Sequence, residues 1–220
     1  MFFRLSIVLI ALFIGIFSAQ SYALEQTSFL VLADIHFDPF TACYDKTERP
    51  CPMIKKLLAA SAHEWSAILR AEDTKAPVYR EDTNYTLLTS SLLAAKHAAE
   101  AQHVQYVLVL GDFVGHDFRK FYKKYSLDGS RIGYQAFVKK LLIFLNNEIS
   151  DTFPSLDVYS LIGNNDAYLG DYYSNPHGQF YKDTGMLWSG LIKNKLNRAE
   201  MQREFPIAGY YAVDVPAQGV

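Results

Sequence analysis

Three apolar runs in this 220-residue chain end in polar residues able to hold a metal, and that recurrence constrains the fold more than any other feature. "SFLVLAD" (Ser28–Asp34) runs on to His36. "YVLVLGD" (Tyr106–Asp112) is followed by Gly115, His116 and Asp117. "DVYSLIG" (Asp157–Gly163) is followed by Asn164, Asn165 and Asp166. Short, nearly continuous apolar runs read as strands covered on both faces. A fourth run, "GYYAVDV" (Gly209–Val215), reads as a further strand. Helical spacing separates the runs. Leu88, Leu92, Ala95 and Ala99 share one face of a helix over 85–102, and Phe137, Leu141, Phe144 and Leu145 one over 132–148. Strand–helix–strand alternation predicts an α/β domain. In open α/β sheets ligands bind beyond the carboxyl ends of the strands, where these polar groups fall.

The bulk numbers suit one domain with an ample core. Half the residues are apolar and the formal charge is only −2, which argues against a nucleic acid or other polyanion held by bulk charge. The first 23 residues carry Arg4, an apolar run from Leu5 to Phe17, and "SYA" with small residues at the −3 and −1 positions of a cleavage site. They read as a secretory signal peptide, 1–23, with the mature chain, 24–220, secreted or periplasmic. The alternative is an uncleaved anchor, for which the run is short. No other segment is apolar enough to span a membrane. Cys43 and Cys51 flank a short polar loop; in an oxidising compartment they read as a disulfide, and a metal site is the sharper alternative. Asn84-Tyr85-Thr86 is a glycosylation sequon.

Asp34 and His36 are two apart, so in extended chain a carboxylate and an imidazole point the same way and converge on one ion. Asp112 offers a carboxylate able to bridge two cations, and Asn164 a neutral amide oxygen. The glycines before Asp112 and Asn164 allow tight turns and close approach. Two divalent ions about 3.5–4 Å apart clamp a phosphate and stabilise both oxygens of an in-line displacement. Each motif alone is weak; order, spacing and placement at strand ends make them specific together.

Those motifs resemble the calcineurin-like metallophosphoesterases: Asp-x-His, then Gly-Asp, then Gly-Asn. "ADIHFDP", the Cys43–Cys51 loop, "GDFVGHD" and "FPSLDVYSLIGNND" narrow the resemblance to the acid sphingomyelinase-like phosphodiesterases, which include the endopolyphosphatases. The resemblance runs from about Phe29 to the end of the chain. It implies a two-sheet sandwich flanked by helices, with only the N-terminal part in this sequence. It implies Asp34 and His36 as ligands of a first metal, Asp112 as the bridge and Asn164 as a ligand of a second. The metals would be two divalent ions, zinc by resemblance, with iron or manganese also suited to these donors. It places His116 and Asn165 in catalytic positions, and Asp38 and Asp117 where they would hydrogen-bond the ligands.

There are two departures. The family usually has His where this chain has Asn165, and an amide cannot transfer a proton at neutral pH. Three downstream histidine ligands are also missing, so the chain reads as the N-terminal part of a longer enzyme. The reading is a secreted, metal-dependent phosphodiesterase acting on a phosphorylated small molecule, a lipid or polyphosphate. The rivals are an endopolyphosphatase or nucleotide hydrolase, and a non-catalytic metal-binding protein. His63, His97 and His103 read as solvated or capping residues. His177 and the aromatic stretch from Tyr168 to Tyr181 read as loop. "RKFYKK" (Arg119–Lys124) is either a solvated face or a surface that steers a polyanion. Oligomeric state is not legible.

Overall fold

Positive backbone φ angles follow two of the three strands closely. The computed structural model describes residues 27–73, 75–170, 172–173 and 175–215; the predicted signal segment lies outside them. The strands are β1 (Phe29–Leu32), β2 (Tyr106–Val109) and β3 (Asp157–Ser160). Each is shorter than its apolar run, and the runs of β1 and β2 end in corners. Asp34 (φ 54°), Gly111 (φ 91°) and Asp112 (φ 53°) sit in the left-handed region, which no ladder accepts.

The strands form one parallel sheet in the order β1-β2-β3, with Phe29 opposite Tyr106 and Tyr106 opposite Asp157. Seven α-helices accompany it among the described residues: α1 (Pro52–Ala59), α2 (Trp65–Glu72), α3 (Tyr85–Ala101), α4 (Phe118–Ser126), α5 (Arg131–Thr152), α6 (Gln179–Ser189) and α7 (Lys195–Ala208). The two helices expected from spacing are α3 and the longer α5. Asn84 caps α3 by accepting the N–H of Leu87, and Ser130 caps α5 by accepting that of Gly133. Asn84 is buried and also donates to the carbonyl of Lys75, so its sequon is closed to modification in the folded chain. None of these helices is long and apolar enough to cross a membrane.

The sheet's two faces differ. Val107, Val109 and Val158 are buried in the core, which also takes Phe137, Leu141 and Phe144 of α5. Phe37, Phe40, Trp65, Phe118, Tyr122 and Tyr125 complete an aromatic cluster around Phe137 and Phe144. On the opposite face, Phe29 and Val31 stay 49% and 44% exposed.

The expected two-sheet sandwich is not what the chain forms. The described residues hold a single three-stranded parallel sheet in a helix-rich α/β fold. The fourth apolar run does not pair. Gly209 (φ 77°) ends α7, and residues 210–215 lie outside any ladder. Their burial still alternates, with Tyr211, Val213 and Val215 turned to the core. One side chain substitutes for a neighbouring strand: Asn197 donates to the carbonyl of Asp214 (2.9 Å) and accepts its N–H (3.2 Å).

Cys43 and Cys51 are joined as a disulfide, with their Cα atoms 6.0 Å apart, and both are buried. The bond closes the loop leading into α1. Closing a loop this short restricts the unfolded chain by about 2.5 kcal/mol in the chain-entropy account. The Cys43→Ala/Cys51→Ala double variant should therefore unfold at lower urea concentration, with a stability loss of about 2–3 kcal/mol. An unchanged midpoint would show that the loop is held by its packing alone.

Candidate metal centre

The loops after β1 and β2 are stitched to each other before any side chain is considered. The N–H of His36 donates to the carbonyl of Asp112 (2.7 Å), and that of Phe37 to Phe113 (2.9 Å). On the other side of the same segment, Thr83 donates to the carbonyl of His36 (3.0 Å) and Asp38 donates to that of Thr83 (2.9 Å). Phe37 is thus bridged in parallel to both Val114 and Thr83. This short ladder brings three loops together beyond the carboxyl ends of the strands.

Within that frame, Oδ1 of Asp34, Nε2 of His36 and Oδ2 of Asp112 converge. His36 Nε2 lies 3.7 Å from Asp34 Oδ1 and 3.6 Å from Asp112 Oδ2. The convergence was expected from extended chain, where residues two apart share a face. The route is different: Asp34 and His36 both have left-handed backbone, with φ of 54° and 41°, and the turn delivers the side chains.

The donor set fits a small divalent ion. Donors about 2.0–2.2 Å from such an ion, at tetrahedral angles, stand about 3.4 Å apart, close to the separations here. The imidazole is oriented for it. His36 Nδ1 faces the carbonyl of Val114 at 3.3 Å, and a carbonyl only accepts, so the proton sits on Nδ1 and the Nε2 lone pair turns to the carboxylates. Asp112 is 8% exposed, and its Oδ1 accepts the main-chain N–H of Asn165 at 2.8 Å. Close approach between the loops after β2 and β3 requires glycine. A Cβ on Gly163 would lie 2.1 Å from Asp112 Oδ1, and one on Gly111 would lie 2.1 Å from the nitrogen of Gly163.

The other predicted residues fall into distinct places. Asn164, the expected ligand of a second ion, is exposed, and its carbonyl accepts the N–H of Tyr172. Asn165 is buried and meets the centre through its main chain. Asp38 accepts hydrogen bonds from the N–H of Phe40 and the hydroxyl of Tyr44, away from the ligands. Asp117 starts α4 and pairs with Lys120 at 3.0 Å. The hydrogen bonds to the ligands come from Val114 and Asn165 instead.

His116 lies flat on His36, with ring centroids 4.1 Å apart and planes 19° from parallel. Asp82, unmarked in the sequence reading, holds it twice, accepting the His116 N–H at 2.6 Å and meeting its Nδ1 at 2.7 Å. Asp82, His116 and His36 bring ligand atoms within 4.8 Å of one another. They make a poor shared ion site, because imidazole lone pairs lie in the ring plane and two stacked rings cannot turn them on one point. We read Asp82 as a support for His116. It precedes the Asn84 cap of α3, where acidic residues are common, so nothing in its local pattern sets it apart.

Asp166, which closes the third motif and had no role of its own there, joins two loops. Its Oδ1 accepts the N–H groups of Phe113 (2.8 Å) and Val114 (3.1 Å), and its Oδ2 that of Gly163 (2.9 Å). One carboxylate therefore ties the loop after β3 to the loop after β2.

Elsewhere, His63, His97, His103 and His177 are exposed, as are Arg119, Lys120, Lys123 and Lys124 along α4. Lys123 and Lys124 occupy the last turn of that helix, where its dipole favours cations. Of the aromatic stretch, Tyr168, Phe180 and Tyr181 are core residues, whereas Tyr172 and Tyr173 are exposed.

Two buried carboxylates set a pH dependence. Burial, against hydrogen bonds from Tyr44 and Phe40, pushes Asp38 up to about 7. Burial likewise pushes Asp166 up to about 6, against its main-chain hydrogen bonds. A carboxyl with a folded pKa above its unfolded value stabilises the fold in its protonated form, and that contribution fades as pH rises through the folded value. Urea stability should therefore fall between about pH 4 and pH 7, by several kcal/mol in order of magnitude, and level off above that. Asp38→Asn should flatten most of the fall above pH 6; an unchanged slope in that variant would remove Asp38 as its cause.

No family model matches the chain, and no curated protein matches it.

Proposed function

We propose that this chain carries the metal centre of an exported phosphoester hydrolase of the calcineurin-like metallophosphoesterase type. The observation that carries the reading is the convergence of Asp34, His36 and Asp112 beyond the carboxyl ends of parallel strands, with His36 Nε2 3.6–3.7 Å from both carboxylates. These three residues would hold one divalent ion, and Asp112 with Asn164 would contribute to a second. Zinc, manganese or iron suits the nitrogen and oxygen donors. Such ions, when bound, neutralise phosphoryl charge and make water nucleophilic at neutral pH. The Cys43–Cys51 disulfide supports export, since such bonds persist in oxidising compartments.

The chain's own residues have definable parts. Asp34, with a 70% exposed side chain, forms the open side of the centre, whereas the Asp112 side chain, 12% exposed, is fixed by the Asn165 N–H. Val114 fixes the tautomer of His36. His116 stands over His36, where its outward edge can meet a phosphoryl oxygen or the departing group, and Asp82 holds its orientation. Asn165 has no proton to give at neutral pH, so proton transfer to a leaving group falls to His116.

The test combines ion binding and turnover on the full chain. Calorimetric titration with Zn²⁺ or Mn²⁺ should show binding that Asp112→Asn and His36→Ala each weaken at least about a hundredfold, consistent with loss of a direct ligand. Hydrolysis of bis(p-nitrophenyl) phosphate should depend on the added ion and be lost in the same variants. Ion binding with no hydrolysis of a phosphodiester, a phosphomonoester or polyphosphate would leave a metal-binding protein and end the hydrolase reading.

A further inference from the structure

A cavity of about 310 Å³ opens beside the centre, between the end of β1 and the first turns of α3. Its walls include Val31, Ile35, Leu87, Leu88 and Leu92, with Ser91 on the helix side. Asp34 lines it too, so one residue belongs both to the donor set and to the cavity wall. Asp34 is the only charged residue of the lining, and no Lys, Arg or His is among it.

The geometry points to a subsite for an uncharged, apolar ester group of the phosphoester, a ring or a short alkyl chain. It rests on the proposed hydrolase reading for the position of phosphorus: a phosphoryl group at Asp34, His36 and Asp112 sets its substituent at the cavity mouth. The composition of the wall decides the chemistry. A second phosphate in this cavity would meet a carboxylate and no cation, so a polyphosphate chain does not run into it. Volume decides the size. Ligand pockets span about 300–1,000 Å³, and this one lies at the lower end, so the two long chains of a membrane lipid do not fit it. The apolar walls gain by removing a ring from water, and Asp34 keeps the charged end at the ions.

The test uses two non-hydrolysable probes on the full chain loaded with Zn²⁺: methylphosphonate and 2-naphthylmethylphosphonate. The naphthyl probe should bind at least about tenfold more tightly, the factor that burying one ring supplies. Ser91→Trp, a filling substitution at an exposed helix position, should remove that advantage and leave methylphosphonate affinity unchanged. Equal affinities for the two probes, or an advantage that survives Ser91→Trp, would overturn the subsite. The two readings fail separately. If the loaded chain binds neither probe, the hydrolase reading falls, and the cavity is then judged on the metal-free chain with 2-naphthol. Methyl NMR shifts centred on Leu87, Leu88 and Leu92 would support an apolar site, and their absence would overturn it.

Discussion

The main-chain pairing of residues 36–38 with the loops on either side is the constraint on which the site depends. His36 and Phe37 donate to the loop after β2, and His36 and Asp38 exchange bonds with Thr83. The sheet ladder has already ended at Leu32 and Val109, so without this second, shorter ladder the two loops would be free to diverge. With it, the backbone under Asp34, His36 and Asp112 is fixed before the side chains meet. The arrangement also presses carboxylates together. A cation relieves their repulsion, and that is the physical reason to look for an ion there.

The same constraint explains the unusual backbone nearby. Asp34, His36 and Asp112 all occupy left-handed conformations, which cost non-glycine residues about 1–2 kcal/mol each. Asp166 offsets part of this by satisfying three main-chain donors with one carboxylate. Burying that group raises its pKa, so the fold accepts a pH-sensitive carboxyl in exchange for a joined pair of loops. Gly163 serves the same joint, since a side chain there would occupy the position of the Asp112 carboxylate.

Much of this was legible in the sequence, for identifiable reasons. Continuous apolar runs marked β1, β2 and β3, and 3.6-residue spacing marked α3 and α5. The donors Asp34, His36 and Asp112 stood out because each follows an apolar run directly. Asp82 did not, because its position is set by the pairing of Thr83 with Phe37, a long-range event without local periodicity. Asp166 was passed over for its neighbours because an acidic residue after Asn-Asn reads as turn. The run at 209–215 has a strand's alternation, but a strand needs a partner, and Asn197 supplies those bonds from a side chain. The second sheet was inferred from resemblance, and the single parallel sheet replaces it.

The central claim is that one small ion belongs between Asp34, His36 and Asp112. The most direct measurement is anomalous diffraction, at the metal edge, from crystals of the full chain grown with Zn²⁺ or Mn²⁺. The account predicts a peak about 2.0–2.2 Å from Asp34 Oδ1, His36 Nε2 and Asp112 Oδ2. Crystals with ordered side chains and no peak at that point, or an ion held by other residues alone, would contradict it.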